Sequence, residues 1–381
     1  CFWRNRPGIA GWSNGLPASV TGCSKGIGFS LFGLACWLVA VSALADEGCR
    51  VAFDMGSSGI RAGASTSAVT TRASIDYLEP LWAGQGLEVV VEPTISALRN
   101  LPEEGRFAAD CARVGGGFSA WRLALQQGPG DLVAILARIN AGSGVAVLVI
   151  PQLQEGAYGY HGARQLLGDK LRTSHVLDIG GGSLQIAGQH SAYGELLGQK
   201  VWHHQLCREF RNAEPACILQ PMTAVELNAA RALLAAKLSG VSAALPGKVS
   251  MTAISRPVSR GVLPAVERLV PGAVGADSLR LSAISSTIAR IAGLSIEETQ
   301  LLTGDTGANA TYLLSSLLLV EGVLTATGGE SLQVAEIDLT NLPGLLADDH
   351  AFAWYRRYGC YLERLQTLGV GAYASDPATC P

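Results

Sequence analysis

The stretch His175–Gly188, HVLDIGGGSLQIAG, decides the fold. Val176 and Leu177 form a short apolar run that delivers a carboxylate, Asp178, into a glycine triplet, Gly180-Gly181-Gly182. Ser183 follows, and apolar alternation resumes at Leu184 and Ile186. This order reads as strand, tight turn and second strand, because glycine takes positive φ freely and lets backbone N–H groups approach an anion. Amide donors beside an acid suit a metal–phosphate ligand: the N–H groups hold phosphate oxygens and the carboxylate holds the cation. An ordinary glycine-rich hairpin would show the same pattern.

A second copy narrows the choice. Cys49–Ala62, CRVAFDMGSSGIRA, again runs from an apolar strand through an acid, Asp54, into a small-residue turn, Gly56-Ser57-Ser58-Gly59. Ile60 and Arg61 then resume the chain. Two such hairpins predict two related lobes facing one ligand. Neither motif is a Walker loop or a dinucleotide fingerprint.

The 381 residues allow two domains, and 48 % hydrophobic content with a mean hydropathy of +0.27 excludes a disordered chain. A net charge of −3 gives no reason to expect nucleic-acid binding. Arg4, Arg6 and Lys25 precede the apolar run Ile27–Ala45, which closes on Ala43-Leu44-Ala45. That resembles a secretory signal cleaved after Ala45, with an uncleaved anchor as the alternative. Once the signal is cleaved, no stable membrane span is expected.

Removing that segment leaves six cysteines, Cys49, Cys111, Cys207, Cys217, Cys360 and Cys380, an even number that fits disulfides in an exported protein. Sequence does not fix the connectivity. Pairing the near neighbours, Cys207 with Cys217 and Cys360 with Cys380, leaves Cys49 with Cys111; zinc is the alternative use. The adjacent His203-His204 point oppositely on a strand and read as structural or surface residues.

Val89–Val91 and Val145–Ile150 read as buried strands, Asp131–Asn140 as a helix, and Pro151–Gly168 as a loop leading into a helix. Gln154 and Glu155 then fall at the carboxyl end of a strand, where open α/β sheets bind ligands. Further on, Val225–Leu238, Asp277–Ala292, Ile296–Leu302 and Ala310–Thr327 read as helices. Val249–Ile254 and Leu332–Ile337 read as strands, and the aromatic tail from His350 as a helix lying across the surface.

These motifs resemble the actin/Hsp70/sugar kinase superfamily, and within it the exopolyphosphatase and guanosine-pentaphosphate phosphohydrolase family, with apyrase-like features. Asp54–Arg61 is similar to the first phosphate loop and Asp178–Ser183 to the second, while Gln154–Gly159 is similar to the apyrase segment that carries the catalytic base. The resemblance spans about Val51–Leu346. It implies an α/β fold of two ribonuclease H-like (actin-like ATPase) lobes with a ligand cleft between them. The corresponding divisions are a signal or upstream segment (1–45), an N-terminal lobe (46–170), a C-terminal lobe (171–349) and a tail (350–381).

The implied chemistry is Mg²⁺-dependent hydrolysis of a phosphoanhydride in polyphosphate or a nucleoside polyphosphate. Asp54 and Asp178 would hold the Mg²⁺ ion, and Glu155 would serve as catalytic base. Gly56, Ser57, Ser58, Arg61, Gly180, Gly181, Gly182, Ser183 and Arg122 would bind phosphate. Two positions depart from the family pattern: the hydroxyl of a segment corresponding to Val114–Arg122 falls at Gly115 or Gly116, and a late Gly-Gly-Thr element is replaced around Thr252–Pro257. A non-catalytic polyphosphate- or nucleotide-binding protein is therefore a rival reading. An apyrase-like nucleotidase is another, and it needs a base-stacking aromatic that the sequence does not identify. The expected location is periplasmic or secreted, and a homodimer is compatible with the sequence.

Overall fold

A computed structural model describes residues 48–213, 217–272, 275, 278–304, 308–338 and 341–381. The expected signal segment lies outside the described residues.

The first sheet has the order β3-β2-β1-β4-β5 and is built from β1 (Arg50–Met55), β2 (Gly59–Ala64), β3 (Thr70–Ser74), β4 (Ala112–Gly117) and β5 (Ala146–Val149). β1, β2 and β3 form an antiparallel meander, whereas β4 and β5 join parallel to β1 through helical crossovers. Parallel strands are covered on both faces, so β5 (AVLV) is apolar and buried throughout rather than alternating.

The second sheet repeats the scheme. β6 (His175–Ile179), β7 (Leu184–Gly188) and β8 (Ala192–Glu195) form the meander. β9 (Met251–Ala253) and β11 (Ser331–Val334) extend it in parallel. β10 (Ser278–Arg280) adds an antiparallel edge, giving the order β10-β11-β9-β6-β7-β8. Both quoted hairpins therefore occupy the same place in two matching sheets.

Local sequence explains the helices around the second sheet. Thr223 with Glu226, and Ser295 with Glu298, form reciprocal capping boxes at the starts of Ala224–Lys237 and Ile296–Thr303. Ala308–Thr327 is strongly apolar and mostly buried, and its Leu313, Leu314, Leu317 and Val320 sit in the second core. Its length and composition would suit a membrane span, but here it is the central helix of a lobe. The buried Glu321 accepts from Arg231 Nε at 2.8 Å, from Arg231 Nη2 at 3.0 Å and from the Ser285 hydroxyl at 2.6 Å. Gly328, with φ at +64°, ends it.

Three expectations change. Val89–Val91 is not a strand: it is a 3-10 turn running into the helix Val91–Glu104, since a three-residue apolar run does not itself distinguish the two. The start of the expected helix Asp277–Ala292 is spent on β10, which pairs with β11 before the helix begins at Leu281. The tail does not lie across a surface. Its helices Asp349–Tyr355 and Tyr358–Leu368 bury Trp354, Tyr358 and Tyr361 in the first core.

The tail completes the first sheet. β5 is its edge strand, and the Tyr361 hydroxyl accepts the Val149 N–H at 2.7 Å while the Tyr358 hydroxyl donates to the Val147 carbonyl at 3.0 Å. Covering an edge in this way satisfies groups that would otherwise be exposed or unpaired. Removing the Tyr361 oxygen strands a buried donor, so Tyr361→Phe should cost about 1–3 kcal/mol in urea unfolding. A change under about 0.3 kcal/mol would mean that the bond is dispensable.

All six cysteines pair as the near-neighbour scheme expects: Cys49–Cys111, Cys207–Cys217 and Cys360–Cys380. The zinc alternative fails accordingly. His203, Cys207 and Cys217 do lie within reach of one another, but the two sulfurs are bonded to each other. His203 is buried against the Ser315 hydroxyl and the Cys217 carbonyl.

Candidate active site

β1 brings Asp54 to the head of its hairpin, where the Gly56 N–H donates to the Gly59 carbonyl at 3.0 Å. Gly59 is required there. Its φ is +157°, and a Cβ would lie 2.3 Å from the Ala73 carbonyl on β3. In the second hairpin the Gly180 N–H donates to the Ser183 carbonyl at 2.9 Å. The carbonyls of Gly180 and Gly181 accept N–H groups of Gln199 and Lys200 at the start of the helix Gln199–Arg211. The turn is thereby fixed by the helix beneath it.

The two turns meet. A Cβ on Gly181 would lie 2.4 Å from the Ser57 hydroxyl, and one on Gly182 would lie 2.5 Å from the Ser119 hydroxyl. Glycine is needed at both positions for the lobes to approach this closely. Ser119 opens the helix after β4, so a hydroxyl does reach the second turn although Gly115 and Gly116 lie within the buried strand β4.

Asp54 and Asp178 are both buried, and burial pushes each carboxyl up to about 7. Burial is the main cause for both. For Asp54, Arg61 opposes it and hydrogen bonds from Asn341 oppose it further, while the Glu155 charge adds to the rise. For Asp178, the charges of Glu155 and Asp54 add to the rise. Three acids from both lobes thus sense one another with too little positive charge among them, which is the donor set a hard divalent cation would satisfy.

Glu155 does not stand on a loop, as expected, but in the first turn of the helix Gln152–Leu167. Gly156 lets this helix close on β7, its Cβ position being 3.2 Å from Ala187 and 3.5 Å from Gln185. Glu155 Oε2 accepts from Arg122 at 2.6 Å, from Gln185 Nε2 at 2.9 Å and from the Ser183 hydroxyl at 3.4 Å. Arg122 is itself buried and gives its other outer nitrogen to the Ile150 carbonyl at 2.9 Å. It therefore stands beside Glu155 with both outer nitrogens engaged. Arg122 Nε and Gln185 Oε1 are buried without a partner, so the cluster keeps unspent polar capacity.

A cleft of about 480 Å³ opens at the first turn and both aspartates. Arg61 and Arg72, directly opposite each other on β2 and β3, line it with Arg256, Ser255 and Asn341. Arg256 pairs with Asp338 at 2.5 Å, and Arg61 lies 4.0 Å from the same carboxylate. The Arg61 guanidinium is pulled below its usual value by burial and by Arg256. Gly180–Ser183, Glu155 and Arg122 are outside the walls of this cleft.

Sequence reading missed Gln185, Arg72, Ser119 and Asn341. Gln185 carried a usable signal: it is a polar residue between the apolar Leu184 and Ile186, directly opposite Asp178 and hence on the same face. Arg72 could be found only by knowing that β3 aligns it with Arg61.

Two lobes, each with a meander followed by parallel crossovers and an acid at the end of its first strand, give the actin-like ATPase fold. No protein-family profile and no curated protein matches the chain. Solved structures do. The Aquifex aeolicus Ppx/GppA phosphatase aligns with a TM-score of 0.56 at 18% identity, over 78% of this chain and 98% of that one. An exopolyphosphatase from Cytophaga hutchinsonii aligns at 0.57 and 15% identity, over 78% and 96%. An exopolyphosphatase-like protein aligns at 0.58 and 16%, over 81% and 99%. The likeness expected from the two loops is thus present as a shared fold.

Proposed function

We propose that the chain hydrolyses phosphoanhydride bonds of polyphosphate or of a nucleoside polyphosphate. One observation carries this reading: buried Asp54 and Asp178, one from each lobe, share a cleft with Arg61, Arg72 and Arg256. Arginines directly opposite each other repel, and an anionic chain lying along them would relieve that repulsion. The phosphatase names of the solved structures with this fold support the same chemistry.

The amides and hydroxyls of Gly56, Ser57, Ser58, Gly180, Gly181, Gly182 and Ser183 hold phosphate oxygens, and Arg61 neutralises them. Glu155 takes the proton of the attacking water as its oxygen bonds phosphorus and the bridging P–O bond breaks. Gln185, Ser183 and Arg122 fix the carboxylate for that task. Asp54 and Asp178 would hold Mg²⁺, which when bound supplies positive charge against the phosphate oxygens. The three disulfides support an exported location, since such bonds persist in oxidising compartments.

The test is phosphate release by the full chain with Mg²⁺, offering polyphosphate, ATP, ADP and guanosine pentaphosphate in parallel. Release from any of them supports the hydrolase. Thermal stabilisation by these ligands without release would favour the binding-protein reading. Arg72→Ala should raise KM for the preferred substrate about tenfold, the worth of one charge-assisted bond, and weaken its salt dependence. An unchanged KM would remove Arg72 from the phosphate track.

A further inference from the structure

A second cavity, of about 780 Å³, reaches the second turn at Gly182, beside Ser119 at the start of the helix after β4, and is not lined by the first turn. Its walls are of another kind. Trp82 ends the helix Leu78–Trp82 of the first lobe and His204 belongs to the helix Gln199–Arg211 of the second. Their rings stand 4.8 Å apart at 58° and form one aromatic wall from both lobes. Gln127, Gln205 and Arg208 supply polar groups around it.

We propose that this cavity is a nucleoside subsite, with a nucleobase stacked on Trp82 and its phosphates directed to the turn at Gly182. The inference rests on the phosphohydrolase reading and makes it narrower. Its volume lies within the range of about 300–1,000 Å³ usual for small-molecule sites, and it has the expected mixture of aromatic surface and a few polar groups. An indole face offers stacking to any base, and side-chain amides can meet a base edge. Inorganic polyphosphate has no group that would use either. The two cavities therefore divide the labour: arginines for the phosphate chain on one side, an aromatic wall for the nucleoside on the other. No sequence signal marked Trp82, because its partner His204 lies more than a hundred residues away and in the other lobe.

The experiment compares wild type, Trp82→Ala and Trp82→Phe in the full chain. Two ligands are titrated with Mg²⁺ by calorimetry: the β,γ-methylene analogue of ATP and inorganic tripolyphosphate. Trp82→Ala should lower the preference for the nucleotide over tripolyphosphate about 10- to 100-fold, the span of stacking on one aromatic ring. Trp82→Phe, which keeps a π face, should restore most of it. Equal weakening of both ligands, or no change in their ratio, would overturn the subsite. Turnover of ATP and of tripolyphosphate is measured alongside. Hydrolysis without a Trp82-dependent preference would refute the subsite and leave the hydrolase standing; the preference without hydrolysis would do the reverse.

Discussion

Glu155→Gln should reduce phosphate release by about 10²- to 10⁴-fold while ligand binding persists, the range by which a positioned general base contributes. The amide keeps the shape and loses the basic oxygen. It also leaves Arg122 buried without its counter-charge, and breaking one side of a buried pair costs about 3–5 kcal/mol. Lost activity could then reflect lost structure, and a second variant separates the two. In Glu155→Gln with Arg122→Met no charge is stranded, so the melting temperature should recover toward wild type while activity stays low. A single variant that stays folded and hydrolyses within tenfold of wild type would sink the assignment of Glu155.

The second large effect concerns Asp54 and Asp178 without divalent cations. Both titrate at about 7 in the folded chain instead of 3.8. Between these values the folded state keeps protons that the unfolded chain has released. Stability is therefore greatest below 3.8 as far as these groups are concerned, and it is lost as pH rises through 7. A rise of about three pKa units corresponds to about 4 kcal/mol for either carboxyl, an upper bound because the two act on each other. Metal-free protein should melt lower at pH 8 than at pH 5. Added Mg²⁺ should displace the protons and restore stability increasingly across that interval. Asp178→Asn should flatten the pH profile and abolish the Mg²⁺ response. A wild-type response to Mg²⁺ that persists in this variant would show that the cation sits elsewhere.

How much of this was visible beforehand depended on whether the information was local. Asp54, Asp178 and their turns could be read because acid, glycine and strand periodicity fall within about ten residues. The disulfide pairs match the near-neighbour scheme, one of several that the sequence left open. Glu155 follows the end of strand β5 as read, but in a helix and not a loop, because the helix begins at Gln152 without any side-chain cap to announce it. Arg72, Gln185 and Trp82 depended on pairings made by the fold: β2 with β3, β6 with β7, and one lobe with the other. The tail was misjudged for a similar reason. Its aromatics look like any amphipathic surface helix until β5 is known to need a cover.

The meeting of the two turns has a kinetic consequence. With Ser57 against Gly181 and Ser119 against Gly182, neither glycine has room even for a Cβ. The Asp76–Lys200 ion pair, at 2.8 Å, also joins the two sides. On the proposed reading, a substrate that engages both turns would require the lobes to part first, and its capture would be timed by that opening. In rapid mixing, the observed rate of capture should then level off as substrate is raised, at a ceiling that belongs to the protein alone.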